Sequence, residues 1–303
     1  MRHAKYRKLP LMSLLVLLLV IITSSSAVLA QKNTLFPAWP KKNQADESTI
    51  IKNTVPIGRG LKVDIHAPLI TKRRGLLRPG KKVPVLLYVH GGGWIKGTRE
   101  KVYNLPEFAT SRNWLLVSVD YRPVPKTNID GQVSDVVRSI NWVRSNIKRY
   151  GGDPKRIVIM GHSAGSHLVA MVGVKKLGGK LRGIIPNDVQ AYDMVAYGGM
   201  RGSLPRVYEA AFGSNPANWI KWSPITYVNQ SKGYPPFLIM YSGSNYERRR
   251  KLANGFGRAL KARGTRVTMF NGKRYSHGSI ARTIGTSAEV TRAVEVFLRR
   301  AFR

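Results

Sequence analysis

The pentapeptide Gly161-His162-Ser163-Ala164-Gly165 follows directly on the apolar run Ile157–Met160 and leads into a stretch compatible with a helix. A serine at a tight strand-to-helix turn needs neighbours without bulk, and the two glycines meet that need. The helix start behind it offers free N–H groups and a positive dipole end to a developing oxyanion. A second glycine cluster, His90-Gly91-Gly92-Gly93-Trp94, follows the apolar run Val83–Val89. Its glycines let backbone N–H groups face a ligand with no Cβ in the way. Gly91, Gly92 and Ala164 are therefore candidate oxyanion-hole donors around a Ser163 nucleophile, and the chemistry indicated is acyl transfer. Trp94 and His162 are candidate substrate contacts, Trp94 being equally compatible with packing. His90 is read as a support for its loop.

A neutral serine needs a general base. Of six histidines, His167 and His277 follow Ser163. His167 lies four residues on, one helical turn from the nucleophile, and is read as packing. His277 follows the last apolar run, Val267–Phe270, where the Ser…acid…His chain order puts a base. Four carboxylates separate Ser163 from His277: Asp188, Asp193, Glu209 and Glu247. Glu247 is the one in the loop after Phe237–Tyr241, the run preceding that of His277, so Glu247 is expected to orient the imidazole. Its alternative role is to sit as an anion at the start of the next helix, with Asn245 holding the imidazole or the triad incomplete. Asp188 and Asp193, after the Leu181–Ile185 run, are read as structural.

These motifs resemble those of the α/β-hydrolase superfamily, in particular its carboxylesterase/lipase group and the feruloyl-esterase-like and arylformamidase-like members. The residues carrying the resemblance are His90–Trp94, Asp120-Tyr121-Arg122, Tyr150-Gly151-Gly152-Asp153-Pro154, Gly161–His167 and Ser276-His277-Gly278, across roughly residues 60–300. The resemblance implies ester hydrolysis through a Ser-acid-His triad, with no cofactor and no metal, and an arylformamidase-like amidase as the alternative within the group. The chain departs from the group at Asn245, where many members carry aspartate. That departure leaves room for a catalytically impaired relative that binds polyanions.

The elements that must position these residues alternate. Apolar runs at Leu61–His66, Val83–Val89, Trp114–Val119, Ile157–Met160, Leu181–Ile185, Phe237–Tyr241 and Val267–Phe270 read as strands, several buried on both faces. Helical spacing appears at Val133–Tyr150, Leu252–Arg263 and Ala288–Ala301. The expected class is α/β: a doubly wound, mostly parallel central sheet with helices on both faces. Residues 186–235, rich in aromatics, Gly, Pro and Asn, break the rhythm and are read as a small lid insertion within a domain spanning 59–303. Residues 31–58 read as a linker and lead-in segment.

Residues 1–30 carry Arg2, Lys5, Arg7 and Lys8, an apolar run Leu11–Ile22, and small residues up to Ala30. This is the order of a secretory signal peptide, and the run is shorter than the roughly 20 residues of a spanning helix. Export is expected, with an uncleaved anchor as the alternative. The chain of 303 residues has no cysteine, which excludes disulfides, thiolate metal sites and a cysteine nucleophile. Its net charge is +36, from 51 Lys+Arg against 15 Asp+Glu. Such a surface suits an anionic polymer or cell surface. No nucleic-acid motif accompanies the charge, so the expected partners are a small ester and an anionic surface.

Overall fold

Eight strands form one sheet in the computed structural model, which describes residues 50–68 and 82–303. In chain order they are β1 (Ile50–Gly58), β2 (Leu61–Pro68), β3 (Val83–Val89), β4 (Leu115–Val119), β5 (Gly152–His162), β6 (Gly183–Asn187), β7 (Phe237–Ser242) and β8 (Val267–Gly272). The spatial order is β1-β2-β4-β3-β5-β6-β7-β8. The β1/β2 and β2/β4 pairs are antiparallel, and every pair from β4 to β8 is parallel. The lead-in segment thus ends in an edge strand, β1. The leader read at 1–30 lies outside the described residues.

The helices are α1 (Leu105–Thr110), α2 (Ile129–Asn146), α3 (Ala164–Val174), α4 (Met194–Gly199), α5 (Arg206–Phe212), α6 (Pro216–Lys221), α7 (Ile225–Val228), α8 (Tyr246–Ala262), α9 (Ser279–Arg282) and α10 (Ala288–Ala301). Alternate strand residues face opposite sides of a sheet, and both sides here are covered. Val85, Leu87, Ile157, Ile159 and Ile184 join the core that contains the apolar face of α2 and the apolar residues of α3. Leu86, Leu116, Val158, Met160 and Ile185 join the core against α1 and α10. This explains the near-continuous apolar runs in the central strands.

Several boundaries differ from the sequence expectation, two of them beside the site. Helix α8 starts at Tyr246, taking in the run Arg248-Arg249-Arg250-Lys251. Lysine and arginine are good helix formers, and Arg249 turns inward to a buried carboxylate. Strand β6 extends past Ile185 to Asn187, through backbone pairing with β5. Helices α4 to α7 occupy the stretch between β6 and β7.

Phe256 on α8 is fully buried, stacked on Tyr192 at 4.8 Å and edge-on to Phe237 at 5.9 Å. Phe256→Ala is expected to cost about 3–5 kcal/mol of stability, read from the midpoint of urea unfolding.

Candidate active site

Strand β5 delivers Ser163 to a conformation that few side chains adopt, φ 56° and ψ −121°. The turn closes because its flanks are glycine. A Cβ on Gly161 would lie 2.2 Å from the Gly165 carbonyl oxygen, and one on Gly165 would lie 2.2 Å from that of Val89. The Ser163 N–H donates to the Asn187 carbonyl at 3.1 Å, tying the turn to β6. The hydroxyl makes no cap to its own helix. It lies instead 3.0 Å from His277 Nε2.

On the other side of the ring, His277 Nδ1 lies 2.6 Å from Asp188 Oδ2. A carboxylate can only accept, so Nδ1 carries the proton and Nε2 is left to accept from the serine hydroxyl. Ser163, His277 and Asp188 thus form one continuous hydrogen-bonded chain. Register explains the meeting. His162 pairs with Asn187 across β5 and β6, so Ser163 and Asp188 are the next residues out on neighbouring strands.

Asp188 is fully buried, and its other oxygen, Oδ1, accepts from Arg249 Nη1 at 2.9 Å and from the Ser242 N–H at 2.9 Å. Burial pushes its carboxyl up, but the hydrogen bond from His277 and the Arg249 charge prevail and hold it below the usual carboxylate range. Arg249 also donates through Nε to the Ser244 carbonyl at 2.6 Å, and the Ser244 hydroxyl accepts from the His277 N–H at 2.9 Å. One guanidinium thereby braces both the carboxylate and the histidine loop.

The expectation that Glu247 backs His277 is corrected here. Glu247 is exposed on the first turn of α8, and its carboxylate is held by Arg250 Nη2 at 2.6 Å. Asn245 adopts a left-handed conformation, φ 50°, at the start of that helix and is exposed. Neither side chain is hydrogen-bonded to His277; Asp188, read as structural, is. Its place just after the Leu181–Ile185 run is visible in the sequence, but the pairing that sets it beside Ser163 is not. Asp193, by contrast, caps α4 by accepting from the Ala196 N–H at 2.9 Å.

The glycine loop after β3 packs against Ser163: a Cβ on Gly91 would lie 2.9 Å from its Cβ. Gly92 has φ +137°, and a Cβ there would collide with the Lys96 carbonyl at 1.8 Å. Ala164 is the first residue of α3, so its N–H has no acceptor within the helix. His90 stacks on Tyr121 at 4.3 Å, and its Nδ1–H donates to the Gly91 carbonyl at 2.8 Å, holding the loop.

Two candidate substrate contacts are otherwise engaged. The Trp94 indole is buried among Tyr208 and Phe212 and donates to His167 Nδ1 at 3.2 Å. His167 in turn donates through Nε2 to the Trp222 carbonyl at 2.7 Å, and burial lowers its pKa to about 4. Both rings are core, as was read for His167. His162 is buried and donates through Nε2 to the His277 carbonyl at 2.7 Å, so it supports the histidine loop. Burial, with the His277 ring beside it, lowers its pKa to about 4 and keeps it neutral.

The solved esterase from Pseudomonas putida ECU1011 superposes with a TM-score of 0.63, covering 83% of this chain and 80% of that one at 21% identity. Esterase Est2 of Thermogutta terrifontis gives 0.64, covering 81% and 89% at 19% identity. The chain has the α/β-hydrolase fold. The BD-FAE family model matches residues 77–197, a span that includes both glycine motifs. Among curated proteins, esterase LipQ of Mycobacterium tuberculosis is 32% identical over 244 residues, covering 75% of this chain and 57% of LipQ. The chain therefore spans little more than half the length of that relative.

The depressed Asp188 carboxyl has a signed consequence. Its stabilisation is present above the unfolded carboxylate value of about 4 and is lost as pH falls through the lower folded value. Asp188→Asn strands Arg249 and is expected to cost about 3–5 kcal/mol at neutral pH. The gap to wild type should shrink below about pH 4 in urea unfolding measured across pH.

Proposed function

We propose that this α/β-hydrolase is a serine esterase that cleaves carboxylic esters through an acyl-enzyme. The observation that carries the reading is the chain Ser163 Oγ to His277 Nε2 at 3.0 Å and His277 Nδ1 to Asp188 at 2.6 Å. Ser163 Oγ attacks the ester carbonyl carbon while its proton passes to His277 Nε2. Negative charge moves to the carbonyl oxygen, facing the N–H groups of Gly91, Gly92 and Ala164. Each such donor contributes about 2.7–4 kcal/mol of transition-state stabilisation. Collapse of the tetrahedral species breaks the bond to the alcohol oxygen, which takes the proton back from His277. Water then repeats the sequence on the acyl-serine: its proton goes to His277 and returns to Ser163 as the acid departs. Asp188 stays ionised and stabilises the imidazolium.

The similarity to esterase LipQ supports the same reaction class. The rival reading of an impaired, polyanion-binding relative rested on a missing acid at Asn245, and a buried aspartate hydrogen-bonded to His277 weighs against it. Export is part of the proposal, supported by the basic, apolar and small-residue order of residues 1–30.

The test is turnover of 4-nitrophenyl butyrate. Ser163→Ala should abolish it, and Asp188→Asn should lower kcat by about 10⁴-fold through the wrong imidazole tautomer. Glu247→Gln should stay near wild type. Full activity in Asp188→Asn, with loss in Glu247→Gln, would remove Asp188 from the mechanism.

A further inference from the structure

The first turns of α8 lie against the catalytic centre. Arg249 on its inner face holds Asp188, and Ser244, two residues before the helix, accepts from the His277 N–H. The outer face of the same helix carries Arg250, Lys251, Asn254 and Arg258, which line a groove of 340 Å³ together with Arg248 and with Met200 from the segment after α4. From Glu247 to Arg258 the helix rises about 16 Å. Four cations border this track. Its carboxylate, Glu247, is already neutralised by Arg250. Arg248 lies over the Tyr197 ring at 5.8 Å, and its Nε is buried without a hydrogen-bond partner. Among the described residues, Lys251 and Arg258 form no ion pair.

The charges are strung along a helix and do not converge on a point. A single small anion would meet one or two of them. A chain with repeated negative charges would meet Arg248, Lys251 and Arg258 together, on the helix whose inner face holds Asp188. We infer that the α8 groove binds the anionic polymer part of the substrate, an ester carried on a carboxylate-bearing chain. The inference rests on the esterase reading and names the substrate class of that site.

The experiment compares acetate release from acetylated polygalacturonate and from acetylated neutral xylan, with 4-nitrophenyl acetate as a control. Lys251→Glu/Arg258→Glu should lower kcat/KM on the acidic polymer by roughly tenfold at low salt and leave 4-nitrophenyl acetate unchanged. The wild-type preference for the acidic polymer should collapse at about 0.5 M NaCl. A charge-matched variant, Lys180→Glu/Arg266→Glu, alters a separate basic cavity of 520 Å³ formed at the opposite ends of β6, β7 and β8. It should retain the preference. Equal losses in both variants would show a diffuse effect of net charge and overturn the inference. So would a wild type that hydrolyses 4-nitrophenyl acetate without preferring the acidic polymer. A wild type inactive on 4-nitrophenyl acetate would overturn the esterase reading and this inference with it.

Discussion

The pairing of His162 with Asn187 across β5 and β6 is the constraint on which the site depends. Adjacent strands lie about 4.8 Å apart. Once these two residues are level, the next residue on each strand emerges at the same height, and one imidazole bridges them. Both Ser163 and Asp188 leave the sheet with positive φ, 56° and 66°, so both strands bend sharply at that level. A carboxylate at the tip of β7 would start one strand further away.

Placing the acid on β6 moves an electrostatic burden onto the loop and helix after β7. A buried carboxylate is costly unless its oxygens are satisfied. Here the Ser242 N–H and Arg249 satisfy one oxygen and His277 the other. Ser244 then carries the brace from Arg249 to the backbone of the histidine. The segment that the sequence reading expected to supply the acid supplies the acid's counter-charge.

Much of this was legible in the residues. Ser163 and its glycines announce themselves because backbone collisions at 2.2 Å leave no other residue type at Gly161 and Gly165. His277 follows from chain order, and the parallel sheet from apolar runs buried on both faces. Asp188 was not legible, because which strand tip faces an imidazole depends on register, and local pattern carries no register information between non-adjacent segments. Trp94 stays open in the sequence for a related reason. An aromatic beside a catalytic loop suits a substrate wall or a core equally, and the choice was made by Tyr208 and Phe212, more than a hundred positions away.

Two hydrogen bonds tie the Trp94 indole through His167 to the Trp222 carbonyl. They bolt three separate pieces of chain together: the glycine loop, the helix behind the serine and the stretch between β6 and β7. Transplanting that stretch from a relative would therefore have to bring along a carbonyl acceptor at the Trp222 position. A graft without one strands a buried imidazole nitrogen, and the slack would be felt in the glycine loop that packs against Ser163.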